Sequence, residues 1–312
     1  MPVKSSILTS IGKTPCVELR RVLPSGCARV LLKLESQNPT GSMKDRMALA
    51  VVNGAAASRR LAPTGRIVEY TGGSTGTSLA FVCAALGYAI TLVTSDAFSR
   101  EKRDHMRAFG ATVIELPSEG AGTTKELIQR MMAKAAVLSA APNVFYADQF
   151  NNPDAAAGYA PLAEELWVQS DRRLDAFVQS VGTAQCITGV ARVLCHRNSR
   201  IQIVAVEPAE SAVLCGGANG AHNIEGVGPG FIPPIWKSDL ANEILQVSTS
   251  EAKEMARRMA REEGVFAGTS SGANVVAAIR VAQQLGPGRT VGTLACDSGL
   301  KYLSTDLYSA DS

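Results

Sequence analysis

The sequence predicts an α/β protein built on largely parallel sheets. Short β-like runs alternate with amphipathic helical runs along the chain. At 312 residues the chain is long enough for about two domains. Clusters of Gly, Ser and Thr fall where a strand gives way to a helix, the arrangement that presents free backbone N–H groups to an anion.

The first strand-like run, Ala28 to Glu35, leads into Pro39-Thr40-Gly41-Ser42-Met43-Lys44-Asp45-Arg46, and a helical pattern runs out of it from near Lys44 to Ser58. Gly41 allows a sharp turn, and Ser42 with Asp45 three residues on reads as a helix N-cap with an acidic partner. Lys44 then sits in the first helical turn, where the helix dipole disfavours an ammonium. A neutral lysine is a nucleophile and can bond an aldehyde cofactor. Taken alone, the stretch fits an exposed surface lysine more often than a reactive one.

Strands are expected at Arg66–Thr71, Ala89–Thr94, Ala111–Leu116 and Asn143–Ala147, with helices near Thr75–Leu86, Ser99–Phe109 and Thr123–Ser139 between them. Later strands are expected at Leu174–Gln179, Ile201–Val206, Ile244–Val247 and Thr290–Ala295, separated by helices near Gly189–Arg197, Ser250–Glu263 and Ala273–Leu285. Cys215 to Trp236 is rich in Gly and Pro yet keeps its aliphatic residues, so it reads as a long ordered loop rather than a linker.

Bulk properties exclude several classes. A net charge of +3 is too small to point to nucleic acid or an anionic membrane. No run of about 18 apolar residues occurs, and Met1 to Ser10 has no apolar leader core, so a cytoplasmic protein is expected. The seven cysteines are odd in number and form no Cys-x-x-Cys pair, which argues against a disulfide framework, structural zinc or any other metal site. Cys195-His196, the adjacent pair, lies on an expected helix where neighbours face different ways.

Glu69-Tyr70-Thr71-Gly72-Gly73-Ser74-Thr75-Gly76-Thr77-Ser78 follows a strand and opens an apolar helix. Together with Asn38 to Arg46 it resembles the cysteine synthase (O-acetylserine sulfhydrylase) family, fold-type II pyridoxal-phosphate enzymes akin to cystathionine β-synthase and the tryptophan synthase β chain. The resemblance starts at Ile11-Gly12-Lys13-Thr14-Pro15. It continues through His222 to Pro233, Gly268-Thr269-Ser270-Ser271-Gly272-Ala273 and Tyr302-Leu303-Ser304-Thr305. It implies two open, twisted, largely parallel sheet domains with pyridoxal 5'-phosphate in the cleft between them. Residues 36–147 with 1–12 would form the smaller one, and 148–312 with the crossover segment 13–35 the larger.

By the same resemblance Lys44 is the lysine that holds the cofactor aldehyde and later the base at the substrate α-carbon. Gly182, Thr183, Ala184, Gln185 and Cys186 form the phosphate loop, and Ser270 meets the pyridine nitrogen; Ser271 is adjacent to it in sequence, and Asp297, at the end of a strand, is a further group expected near the ring. Thr71, Gly72, Gly73, Ser74, Thr75 and Gln149 bind the substrate carboxylate, and Ser74 also touches the cofactor. Three departures from the family stand out. Cys186 offers a weak thiol donor where the family has a hydroxyl, Gln185 adds a side chain, and Ser74 is shorter than the family's asparagine. The activity implied is β-replacement on an activated L-serine, O-acetyl-L-serine foremost, by sulfide or another small nucleophile, giving L-cysteine or an analogue. A related enzyme using O-phosphoserine or serine plus homocysteine, a specialised amino-acid synthase, and a non-catalytic binding protein are the alternatives. The implied partners are the amino-acid substrate, the nucleophile, a second copy in a homodimer, and the C-terminal tail of serine acetyltransferase.

Overall fold

The computed structural model describes residues 6–120 and 124–309. Residues 1–5, 121–123 and 310–312 lie outside the described residues; they take in the expected helix start Thr123, half of the Met1–Ser10 stretch and the outer limits of both expected domains.

The strands are β1 (Cys16–Glu18), β2 (Arg29–Lys33), β3 (Arg66–Tyr70), β4 (Ala89–Ser95), β5 (Thr112–Leu116), β6 (Val144–Tyr146), β7 (Ala176–Ser180), β8 (Gln202–Pro208), β9 (Glu243–Val247) and β10 (Thr290–Leu294). The α-helices are α1 (Lys44–Ala57), α2 (Ser74–Leu86), α3 (Arg100–Ala108), α4 (Lys125–Ser139), α5 (Pro153–Ala157), α6 (Ala160–Gln169), α7 (Gln185–Arg197), α8 (Thr249–Arg258) and α9 (Thr269–Leu285).

These strands form two sheets, ordered β5-β4-β3-β6 and β1-β2-β10-β7-β8-β9. Every pairing is parallel except β1 with β2. The chain begins in the larger sheet with β1 and β2, crosses to build the smaller one, and returns for β7 to β10. Each residue of β7 and β10 is buried, as expected where helices cover both faces of a parallel sheet.

Two helices start earlier than their sequence patterns suggest. Gly189 and Gly272, which look like helix starts, are instead sites of close packing. A Cβ on Gly189 would lie 2.1 Å from the Ala156 carbonyl oxygen of α5, and one on Gly272 would lie 2.0 Å from that of Ala252 on α8. The expected single helix Ser250–Glu263 ends as α8 at Arg258 and continues as a π turn, Met259–Glu263. Glu263 there accepts the backbone N–H groups of Arg20, Arg21 and Val22. The long loop after β8 is ordered: Ile224 is buried, and the Phe231 ring packs 5.1 Å from that of Phe150.

A buried ion network joins the end of β2 to α1 and α6. Arg46 on α1 holds Glu35 at 2.6 Å and Glu165 of α6 at 2.8 Å, and Glu165 also takes Lys33 of β2 at 2.8 Å. Lys33 and Glu35 are fully enclosed, so each charge persists because it is paired and hydrogen-bonded.

Candidate active site

The C-terminal ends of strands from both sheets open onto one cleft, the usual place for a ligand in open α/β sheets. Thr71 to Thr75 follow β3, Gln149 follows β6, Gly182 to Cys186 follow β7, Glu225 to Val227 lie beyond β8, and Cys296 and Asp297 follow β10. Lys44 enters the same cleft from the start of α1.

Lys44 is the first residue of α1, as its sequence context predicts, but the cap differs. The N-cap position is Met43, and the Ser42 hydroxyl accepts the Lys44 N–H at 3.2 Å. Asp45 turns back to Thr40, taking its N–H at 2.8 Å and its hydroxyl at 2.5 Å, which fixes the turn ahead of the lysine. Backbone bonds from Met43 N to Cys296 O and from Ser298 N to Gly41 O join this turn to the far side of the cleft.

The loop after β7 leads into α7 through Ala184, whose left-handed backbone (φ 62°) turns the chain. The first N–H groups of α7 have no acceptor inside the helix, so they are available to an anion. Gly182 is required here: a Cβ would sit 2.4 Å from the Gly226 carbonyl oxygen. Gly182, Thr183, Ala184 and Cys186 line the cleft. The Gln185 side chain does not. Its Nε2 donates to the carbonyls of Phe150 at 3.0 Å and Asn152 at 3.4 Å, so it leaves the pocket shape untouched and serves the packing of α7 on the segment before α5. Burial pushes the Cys186 thiol up, and it stays a thiol at neutral pH.

Ser270 lines the cleft, whereas Ser271 lies behind it and accepts the Cys296 N–H at 2.9 Å, which separates the two adjacent serines. Asp297 lines the cleft beside Ser270. Its Oδ2 accepts the Ser74 hydroxyl at 3.1 Å and the Tyr302 hydroxyl at 2.8 Å. Ser74 therefore spends its single donor on Asp297 rather than on a ligand, and the contact bridges the two sides of the cleft. Lys102 of α3 spans it too, pairing with Glu225 while its Nζ stands 4.2 Å from the centre of the Tyr302 ring.

The Thr71–Thr75 loop is preformed. The Thr71 hydroxyl accepts the N–H groups of Gly73 and Gly76, each at 2.9 Å. Gln149 is held by Thr75, whose hydroxyl donates to Oε1 at 2.8 Å, and by the Tyr70 carbonyl, which takes Nε2 at 2.9 Å. Among cleft residues that sequence reasoning missed are Lys102, Gln179, Ser180, Glu225 and Tyr302. Gln179 and Ser180 end β7, and the general placing of ligands at strand C-termini is the signal that points to them.

These residues fit the phosphorylated, aldehyde-bearing cofactor that the resemblance implies. Gln179 Oε1, Ser180 Oγ and Asp297 Oδ1 are buried in the cleft wall with no hydrogen-bond partner among the described residues. Such orphaned groups call for a polar ligand. The open helix start offers a phosphate seat, and Lys44 offers an amine. Among the described residues, no group of three or more His, Cys, Asp or Glu is placed to hold a metal ion.

Comparison with known proteins agrees with this geometry. Residues 7–297 match the family model described as pyridoxal-phosphate dependent enzyme. The chain is 41% identical over 308 residues to a cysteine synthase of Staphylococcus aureus strain Mu50, covering 98% of this chain and 97% of that protein. It is similar to the crystal structure of a cysteine synthase from Entamoeba histolytica, with a TM-score of 0.90 and 37% identity over 98% of this chain and 91% of that one. It is also similar to an O-acetylserine dependent cystathionine beta-synthase from Helicobacter pylori, with a TM-score of 0.90 and 33% identity over 99% of this chain and 100% of that one.

Proposed function

This chain belongs to the pyridoxal-phosphate dependent enzymes, and from that premise we propose that it replaces the β-substituent of O-acetyl-L-serine with sulfide, giving L-cysteine and acetate. The observation that carries the reading is the placing of Lys44, Ser270 and the open start of α7 around one cleft. When bound, the cofactor supplies an electrophilic carbonyl for an amino group and a sink for the α-carbon electrons. The N–H groups at the start of α7 and the Thr183 hydroxyl would hold its phosphate, Lys44 Nζ would bond its aldehyde carbon, and Ser270 would meet its ring nitrogen. Lys44 Nζ is placed to take the α-proton of the bound amino acid and to hold it for return to the same carbon. The Thr71–Thr75 loop and Gln149 hold the substrate carboxylate. Acetate leaves the β-carbon with the C–O bonding pair, sulfur forms the new bond at that carbon, and the proton held by Lys44 returns to the α-carbon. Lys102 with Glu225, and Ser74 with Asp297, draw the two sides together and exclude water.

A second reading keeps the donor and enlarges the nucleophile. A cavity of about 340 Å³ adjoins the cleft and shares Glu225, Gly226, Val227 and Tyr302 with it. Hydrosulfide needs only roughly the volume of a water, ~30 Å³. The ion pair of Lys253 with Asp306, at 2.6 Å, lies on the cavity wall and suits a charged amino-acid thiol. The Helicobacter pylori enzyme, by its description, is a cystathionine synthase, which supports the same reading. The division into 36–147 with 1–12 and 148–312 with 13–35, the homodimer, the serine acetyltransferase tail and a cytoplasmic setting are part of this proposal.

The test is product analysis with O-acetyl-L-serine and either sulfide or homocysteine. L-Cysteine plus acetate supports the first reading and cystathionine the second. No acetate release with either nucleophile overturns both.

A further inference from the structure

Glu69, at the end of β3, is fully buried, and among the described residues no Lys, Arg or His pairs with it. An enclosed carboxyl without a cation is costly to a fold. The groups facing it add no compensation: Asp148, Tyr70 and Tyr146 are acidic or neutral. What Glu69 does hold is specific. One oxygen accepts the N–H of Tyr70 and the other the N–H of Gln149, each at 3.1 Å. Tyr70 directly precedes the Thr71–Thr75 loop, and its carbonyl accepts Gln149 Nε2 at 2.9 Å. The Gln149 Oε1 in turn accepts the Thr75 hydroxyl at 2.8 Å. The chain of bonds thus runs from Glu69 through Gln149 to Thr75, joining the ends of β3 and β6.

We propose that Glu69 is a positioning residue for the substrate carboxylate: it fixes Gln149 against the Thr71–Thr75 loop and so sets the shape of the carboxylate site. This rests on the reading of that loop and Gln149 as the carboxylate site. The geometry also explains how an acid can stand there. Burial, reinforced by Asp148, pushes the Glu69 acid well above the usual carboxylate range, so it stays neutral and does not repel an arriving anion. Ionisation of Glu69 would place a negative charge behind the carboxylate site and weaken substrate binding.

Glu69→Gln keeps the volume but replaces one acceptor with a donor and removes the titration. The experiment measures dissociation constants of L-serine and O-acetyl-L-serine for the cofactor-loaded protein, from the cofactor's visible absorbance, between neutral and alkaline pH. Ethanolamine, which is serine without its carboxylate, is titrated in parallel. For the variant we expect both amino acids to bind about tenfold more weakly, as for one lost hydrogen bond to a charged group. Ethanolamine binding is expected to be unchanged, and any alkaline weakening of amino-acid binding that Glu69 causes in the wild type is expected to vanish. The melting temperature of the cofactor-free variant controls for folding, and Glu69→Asp is the second variant. With a shorter arm but an intact acid, it should weaken amino-acid binding while keeping the alkaline dependence. Unchanged amino-acid binding in both variants, or an equal loss for ethanolamine, overturns the proposal. So does a wild type that binds neither amino acid. Failure of the function reading looks different: L-serine still binds, but O-acetyl-L-serine and sulfide give no cysteine.

Discussion

Removing the Glu165 carboxylate should destabilise the protein and flatten its acid sensitivity. Glu165 takes Arg46 Nη1 at 2.9 Å and Nη2 at 2.8 Å, Lys33 Nζ at 2.8 Å and the Lys13 N–H at 3.0 Å. Arg46 keeps Glu35, and Lys33 keeps the Thr14 carbonyl and Gln169, so Glu165→Gln leaves each cation hydrogen-bonded but the cluster one negative charge short. Breaking a buried pair costs about 3–5 kcal/mol. The Glu165 side chain is 19% exposed, which places the expected loss near the lower end, about 3 kcal/mol. Against a typical total of about 5–15 kcal/mol that is a large fraction. The bonds and charges from Arg46 and Lys33 hold the Glu165 acid down at about 2, against an ordinary value of 4.5. A depressed acid contributes stability that is fully present above its unfolded value and is lost as pH falls toward the folded one. The wild type should therefore lose stability between about pH 4.5 and 2 more steeply than the variant. Urea unfolding followed by the fluorescence of Trp167, two residues along α6, reads both effects. A loss under about 1 kcal/mol at neutral pH, with parallel acid profiles, would refute the reasoning.

Cys186→Thr restores a hydroxyl in the phosphate loop, and cofactor retention on dialysis should improve by about fivefold, the equivalent of one hydrogen bond of about 1 kcal/mol. Equal retention would mean that backbone groups alone hold the phosphate. Ser74→Ala removes the donor to Asp297 and should raise the KM for the amino-acid donor several-fold, by about 1 kcal/mol, with little change in cofactor content. Equal kinetics in the two proteins would show that the contact does not shape the closed cleft. Lys102→Met leaves Glu225 without its cation across the cleft. We expect faster proteolysis of the 222–228 loop, and a cleavage rate equal to that of the wild type would discount the pair as a tie between the two sides.

Much of the fold is legible because buried parallel strands and the helices between them carry strong periodic signals. β3, β4 and β5 fall within a residue or so of the runs expected from sequence. β1 is three residues long, too short for any period to show. α5 carries a readable signal, Asn152 capping Asp154 N with Pro153 in the first turn, whereas α6 starts with no side-chain cap at all. The starts of α7 and α9 were obscured by Gly189 and Gly272, whose role is contact with another element and so leaves no local trace. The same limit applies at the site. Lys44, Ser270 and the loops beside them sit in compact local motifs. Ser74 and Asp297 are 223 positions apart and Lys102 and Glu225 are 123 apart, so only the folded chain brings them together. The Gln185 side chain turns away from the cleft, and loop position alone does not say which way a side chain turns.

The account stands on one covalent assignment, that Lys44 is the amine that bonds the cofactor aldehyde. The cleft offers real competitors. Lys102 lines it as well. Lys301 is buried nearby with no hydrogen-bond partner among the described residues, and burial lowers its amine to about 8. Borohydride reduction of the cofactor-loaded protein, followed by mass analysis of its peptides, locates the bond directly. The reduced label is expected to be confined to the peptide carrying Lys44 and to be absent from Lys44→Ala. A label on Lys102 or Lys301 in the wild-type protein would contradict it.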